Sequence, residues 1–256
     1  MFSCHPYDYY GRSWSSTAQL DARPDEPPWI EVPISFHIQR NFFITKDGIE
    51  MDVWITPRQI IDILLPEVNR IWAPAYIIFK LNSIEVHDED PTETELDALE
   101  VLRNADRERE EQFPSLNAVR KTAIKTLSLH SPNVIPGVMN AFFLPYMGKT
   151  RQGNATDGVS TMAMGVWSDK FTFDPTKVLL TENPNAFVRG SLARTTAHEL
   201  GHCFKLRHPK DANPDLLMGV RGYTLTENEI KTARSVSPHR TPQSRSGIDV
   251  AEMIDD

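Results

Sequence analysis

The chain has 256 residues, 40% of them hydrophobic and 24% charged, with a formal net charge of −8. That length can bury a substantial core in one large domain or one domain of two lobes. The negative balance argues against nucleic acid as a partner, and the lack of any run of about 18 apolar residues argues against a membrane span. Two cysteines, Cys4 and Cys203, make no disulfide framework. The opening residues Met1 to Tyr7 lack a basic start and apolar stretch, so the cytoplasm is the expected compartment unless further residues precede them. The acidity is local: residues 85–111 hold twelve acids and three basic residues, a net of −9, which predicts a solvated insertion rather than a surface that attracts cations.

Residues 1–28 are rich in aromatics, Ser and Pro and read as an N-terminal arm. Residues 30–38 alternate in part and predict a strand, followed by a turn at Asp47-Gly48. Thr56-Pro57 opens a helix with a capping hydroxyl and a proline at its first position. Its apolar face runs through Ile60, Ile61, Leu64, Leu65, Val68, Ile71 and Trp72, and Pro66 within that face predicts a kink or two short helices. A strand over 76–81 follows, and strand, helix, strand predicts a parallel crossover. The acidic stretch 92–111 is expected to be helical and exposed, with a second helix over 115–129 and a buried strand over 138–144. Residues 148–158 read as a loop, 159–167 as a strand ending in Gly165-Val166-Trp167, and 178–180 as a short strand.

Residues 191–204 are expected to form a helix that turns Leu192, Thr196, Leu200 and Cys203 to the core. Thr226 with Glu229 forms a capping box for a last helix, and 238–256 reads as a mobile tail. The first of these helices and the residues just after it carry the chemistry. It reads His198-Glu199-Leu200-Gly201-His202-Cys203-Phe204-Lys205-Leu206-Arg207-His208. Histidines four apart in a helix differ by about 40° around the axis and about 6 Å along it, so both imidazoles can face one point. His208 follows after the helix must end and turn back. Three histidines with one open position make a catalytic zinc site rather than a closed structural one. Glu199 lies about 100° from His198, beside the metal rather than bonded to it. There it can take a proton from an activated water and give it to the leaving amine.

This pattern resembles that of the metzincin metallopeptidases, His-Glu-x-x-His-x-x-Gly-x-x-His followed by a methionine turn. Leu217-Met218-Gly219, ten residues after His208, looks like that turn. The resemblance covers roughly residues 30–235, is specific over 198–219, and lies nearest the pappalysin-like and matrixin-like branches. It implies an α+β fold in two lobes within residues 29–237. The upper lobe, to about 204, has a mixed twisted sheet and helices; the lower lobe is small and irregular and ends in a helix. It also implies that Met218 forms a floor beneath the metal, although an ordinary core methionine fits the position equally well. Lys205 stands where the family has glycine. A lysine there costs about 1 kcal/mol if the turn keeps its geometry, and the alternative is a slightly different turn.

Tyr223 falls five residues after Met218, against two for the family's assisting tyrosine, and is expected at the core or rim. Gly165-Val166-Trp167 is either an edge strand that pairs with substrate or a plain sheet strand. Cys4 can be read as a latency thiolate reaching the zinc, whereas Cys203 is expected to be a buried small side chain. His5, His37, His87, His130 and His239 lack ligand spacing and are expected to be structural or exposed. The expected activity is zinc-dependent hydrolysis of peptide bonds in polypeptides. A latent or binding protein on the same zinc site, and a hydrolase of non-peptide amides, remain as alternatives. Substrate sequence and oligomeric state stay open.

Overall fold

The computed structural model describes residues 27–148, 153–164, 192–209, 213, 215–219 and 222–236. Nearly all of the expected arm and tail lies outside them, as do the strands expected at 165–167 and 178–180, Cys4, His5 and His239. The architecture is a mostly parallel five-stranded sheet with helices on both faces. The strands are β1 (Ile30–Gln39), β4 (Ile77–His87), β5 (Met139–Leu144), β6 (Gly153–Thr156) and β7 (Val159–Ala163), in the order β4-β1-β5-β7-β6. Only β6, at one edge, runs antiparallel to its neighbour. A hairpin of β2 (Ile44–Lys46) and β3 (Ile49–Met51) stands apart, turning through Asp47 and Gly48, both at positive φ.

Strand β1 is an interior strand, parallel to both neighbours, so both of its faces are covered, as crossover topology demands. Val32, Ile34, Phe36 and Ile38 point to the main core. The opposite face carries Ser35, His37 and Gln39, buried and polar. His37 shows how such a group is satisfied. Asn140 spends its Nδ2 on the carbonyls of Ile135 and Val138, so its Oδ1 accepts from His37 Nε2 at 2.8 Å. His37 Nδ1 then accepts from His87 Nε2 at 3.1 Å. These two histidines are structural, and His130 is exposed, as expected.

The first crossover begins with α1 (Pro57–Gln59), capped reciprocally by Thr56 and Gln59. A π-helical turn, Ile60–Leu64, leads into α2 (Leu65–Trp72). In a regular α-helix Pro66 would lack its amide bond and press its ring on the carbonyl of residue 62. The wider turn, closed by Leu65 N–H to Ile60 O, absorbs that conflict. The extra residue also advances everything upstream by one helical slot. Ile61, expected on the apolar face, is therefore carried out to solvent and is 49% exposed, while Ile60, Leu64, Val68, Ile71 and Trp72 are buried.

Two expectations need correction. The acidic stretch is not simply a solvated insertion. It forms α3 (Glu93–Arg103) and α4 (Arg107–Gln112), and with α5 (Pro114–Leu127) makes the second crossover. Ala98, Leu99 and Leu102 of α3 join Ala123, Ile124 and Leu127 of α5 in a core with Phe42, Ile44, Met51 and Tyr146 on the other face of the sheet. Glu110 and Arg120 form an ion pair at 3.1 Å with both side chains buried. The charge count masked an amphipathic helix whose apolar residues Ala98, Leu99 and Leu102 are buried. The stretch 148–158 is likewise not all loop. Asp157 and Gly158 both have positive φ and turn the chain between β6 and β7, the Asp-Gly signature of a tight hairpin. Among the described residues no helix is long and apolar enough to cross a membrane.

Candidate metal centre

The helix α6 (Leu192–Cys203) carries His198, Glu199 and His202 and packs against α2, β6 and β7. Leu192, Thr196, Leu200 and Cys203 are buried on its inner side, as expected. Trp72 donates its indole N–H to Ala197 O at 3.2 Å, tying the helix to α2 beside the first histidine. Phe204, against Trp72 and Phe79, anchors the helix end in the aromatic core.

The helix stops at a left-handed residue. Lys205 has φ 64°, with its N–H on His202 O at 2.8 Å and Leu206 N–H on Gly201 O at 3.0 Å. That bond pair is a Schellman turn, and buried Leu206 supplies its apolar contact. The lysine therefore adopts the glycine-like geometry. The turn points Leu206 O back at the helix, where it accepts from His202 Nδ1 at 2.8 Å. His198 Nδ1 donates to Leu217 O at 2.7 Å, buried on the other side.

These two bonds determine the tautomers. A carbonyl only accepts, so both Nδ1 atoms carry the proton and both Nε2 atoms present bare lone pairs. His208 Nε2 sits 3.1 Å from His198 Nε2 and 3.2 Å from His202 Nε2. His208 has at most one Nε2 proton, which can serve only one of those contacts at a time. The remaining lone pairs face each other, an arrangement that a shared cation relieves. A tetrahedral centre with metal–nitrogen bonds of about 2.0 Å separates its ligand atoms by about 3.3 Å, close to the observed spacing. Burial pushes all three imidazoles towards the neutral form a ligand requires, His198 down to about 3. His198, His202 and His208 thus form a group that can hold a metal ion.

Glu199 lies on the adjacent face and is 5% exposed. Its Oε2 is buried and has no hydrogen-bond partner among the described residues. An unsatisfied buried carboxyl oxygen costs a few kcal/mol, so it marks a place for a ligand. Burial pushes the carboxyl up to about 8, against the downward pull of the Arg194 guanidinium. Gly153 of β6 makes room for it: a Cβ at that position would lie 2.3 Å from Oε1 and 2.5 Å from Cδ. Met218 is fully buried, and a Cβ on Gly201 would come 2.6 Å from its Sδ, so the methionine packs directly on the helix between the two histidines. Tyr223 is half-buried against the main core.

Three participants escaped the sequence reading. Gly153 was assigned to a loop, although the Asp-Gly turn after it signals a hairpin. Gly201, a glycine inside a helix, is a cue for close approach. Arg194 stands one turn before His198 on the same helical face, a charged residue in a fully buried stretch of the helix. It is 4% exposed, and its guanidinium donates from Nε to Gly222 O at 2.9 Å and from Nη2 to Leu217 O at 2.8 Å and Gly219 O at 2.5 Å. A cavity of about 280 Å³ between α3, α4 and α5 shares no lining residue with the histidine group. Compared with known proteins, the sequence matches no family model and no curated relative.

Proposed function

We propose that this chain is a zinc-dependent endopeptidase of the metzincin kind, with His198, His202 and His208 holding one zinc ion and Glu199 as general base and acid. The observation that carries the reading is the buried Oε2 of Glu199, unpartnered among the described residues, beside three convergent imidazole nitrogens. A purely structural zinc site has no use for an orphaned carboxyl there. Three neutral imidazoles suit zinc among the common metals. When bound, zinc lowers the pKa of a water molecule towards neutrality and polarises the scissile carbonyl.

Glu199 then takes the proton of the attacking water and returns it to the leaving amine. In the metal-free protein this carboxyl is held out of solvent, which raises its pKa. Among the described residues strand β6 is one of the two sheet edges, with β4 at the other, and it packs against α6. An extended peptide added to that edge would gain main-chain hydrogen bonds and pass the metal centre. That edge favours a polypeptide substrate over a small amide. In this reading the upper lobe runs to about residue 204, and the lower lobe begins with His208 and the loop around Met218.

The test is cleavage of a mixed peptide library by zinc-loaded protein, run beside Glu199→Gln. The expected result is cleavage by the parent that vanishes in the variant while both hold one zinc per chain. If neither cleaves with zinc bound, the catalytic reading is wrong and a binding role replaces it.

A further inference from the structure

We infer that Arg194 is a positioning residue of the metal centre: by gathering the carbonyls of Leu217, Gly219 and Gly222 onto one guanidinium it holds the hydrogen-bond acceptor that orients His198. The inference rests on the metal-binding part of the reading above and is independent of whether peptides are cleaved. Arg194 and His198 are four residues apart on one helical face, and both donate to the same oxygen, Leu217 O, at 2.8 Å and 2.7 Å. The helix therefore grips the segment after His208 at two successive turns. The acceptor for His198 is held from its amide side as well, since Leu217 N–H donates to Thr224 O at 2.8 Å.

Only arginine can do this. Its planar fork offers five donors in fixed directions, whereas a lysine ammonium is a single point on a flexible stem. Metal-bound histidines depend on the partner of their second nitrogen for tautomer and ring orientation, and loss of such a partner weakens metal binding about 10- to 100-fold. Arg194 acts on Leu217 O one step further out.

Coulomb's law sets a competing expectation. Arg194 is a cation near a site meant for a dication, and its field already helps depress His198 and His208. If charge dominated, removing it would tighten metal binding. If positioning dominates, removing the fork loosens binding even when the charge is kept. The two effects have opposite signs, so they can be separated.

The experiment titrates metal-free protein with Zn2+ against a chelating chromophore, and with Co2+ followed by its visible d–d spectrum. The parent is compared with Arg194→Lys and Arg194→Gln. Arg234→Gln is the control, because Arg234 makes the same kind of bonds far along the chain, to Ala75 O at 2.8 Å and Pro28 O at 2.9 Å. Both Arg194 variants should hold zinc about 10- to 100-fold more weakly and show an altered cobalt spectrum, while Arg234→Gln loses thermal stability and keeps the parent's zinc affinity. Should the glutamine form not fold, the lysine form, which retains charge and stem, carries the test. Zinc affinity within threefold of the parent in the Arg194 variants, an equal loss in Arg234→Gln, or tighter binding by Arg194→Gln would each overturn the inference. A parent that binds no zinc would overturn the metal centre itself and the inference with it.

Discussion

Lys205 occupies a left-handed backbone position at the end of α6, with φ 64°. An L-residue with a Cβ pays about 1–2 kcal/mol for that conformation. Glycine avoids the cost but loses about 0.5–1 kcal/mol through the greater freedom of its unfolded chain. The lysine side chain is exposed, so its removal forfeits little packing. Lys205→Gly should therefore stabilise the protein by about 0.5–1 kcal/mol, the difference of these opposing effects. For a chain of this size that corresponds to a rise in Tm of roughly 1–4 °C. Thermal unfolding of the metal-free protein, followed by far-UV circular dichroism, keeps ion binding out of the measurement. Lys205→Val should move in the opposite direction, because a β-branched residue fits the left-handed region worst. An unchanged or lowered Tm for Lys205→Gly would refute the argument that the turn stores strain in order to aim Leu206 O at His202.

Gly153→Ala should leave zinc affinity near that of the parent yet reduce peptide hydrolysis by about 100-fold, because a displacement of order 1 Å at a catalytic group costs about that much; the new Cβ would lie 2.3 Å from Glu199 Oε1. Activity within a few-fold of the parent would show that Glu199 need not sit where β6 places it. His37 is fully buried, and desolvation lowers its pKa to about 4 from 6.5. Above pH 6.5 it is neutral in both states and contributes nothing to pH dependence. As pH falls towards 4, the unfolded chain takes a proton that the folded chain refuses, and stability drops by about 1.4 kcal/mol per pH unit, about 3 kcal/mol in all. Urea unfolding across that window should show His37→Gln losing less stability than the parent, and parallel curves would rule the account out.

Local periodicity and local chemistry were enough to find most elements. The strand at 30–38, the capped start at Thr56-Pro57, the parallel crossover, the helix over 191–204 and the last capping box all depend on residues a few positions apart, and the structure contains each of them. The convergence of His198, His202 and His208 was legible for the same reason: helical geometry fixes the first pair, and a short turn must return the third. Of the two turns the resemblance left open at Lys205, the structure has the glycine-like one, with φ 64°.

Where the reading failed, the deciding contact joined distant parts of the chain or a long-range balance outweighed a local count. The acidic residues of 85–111 hid Leu99 and Leu102, whose burial depends on α5 and the β2–β3 hairpin. The π turn before Pro66 shifted Ile61 outward by a register that no average helix period contains. Glu199 is set by Gly153, 46 positions earlier, and His198 by Leu217 O and the Arg194 fork. The sequence alone determined which residues can bind a metal, because ligand type and helical spacing are local properties. Only the tertiary structure decided which nitrogen His198 and His202 present and where the Glu199 carboxyl is held, because those depend on groups that folding brings together from separate segments.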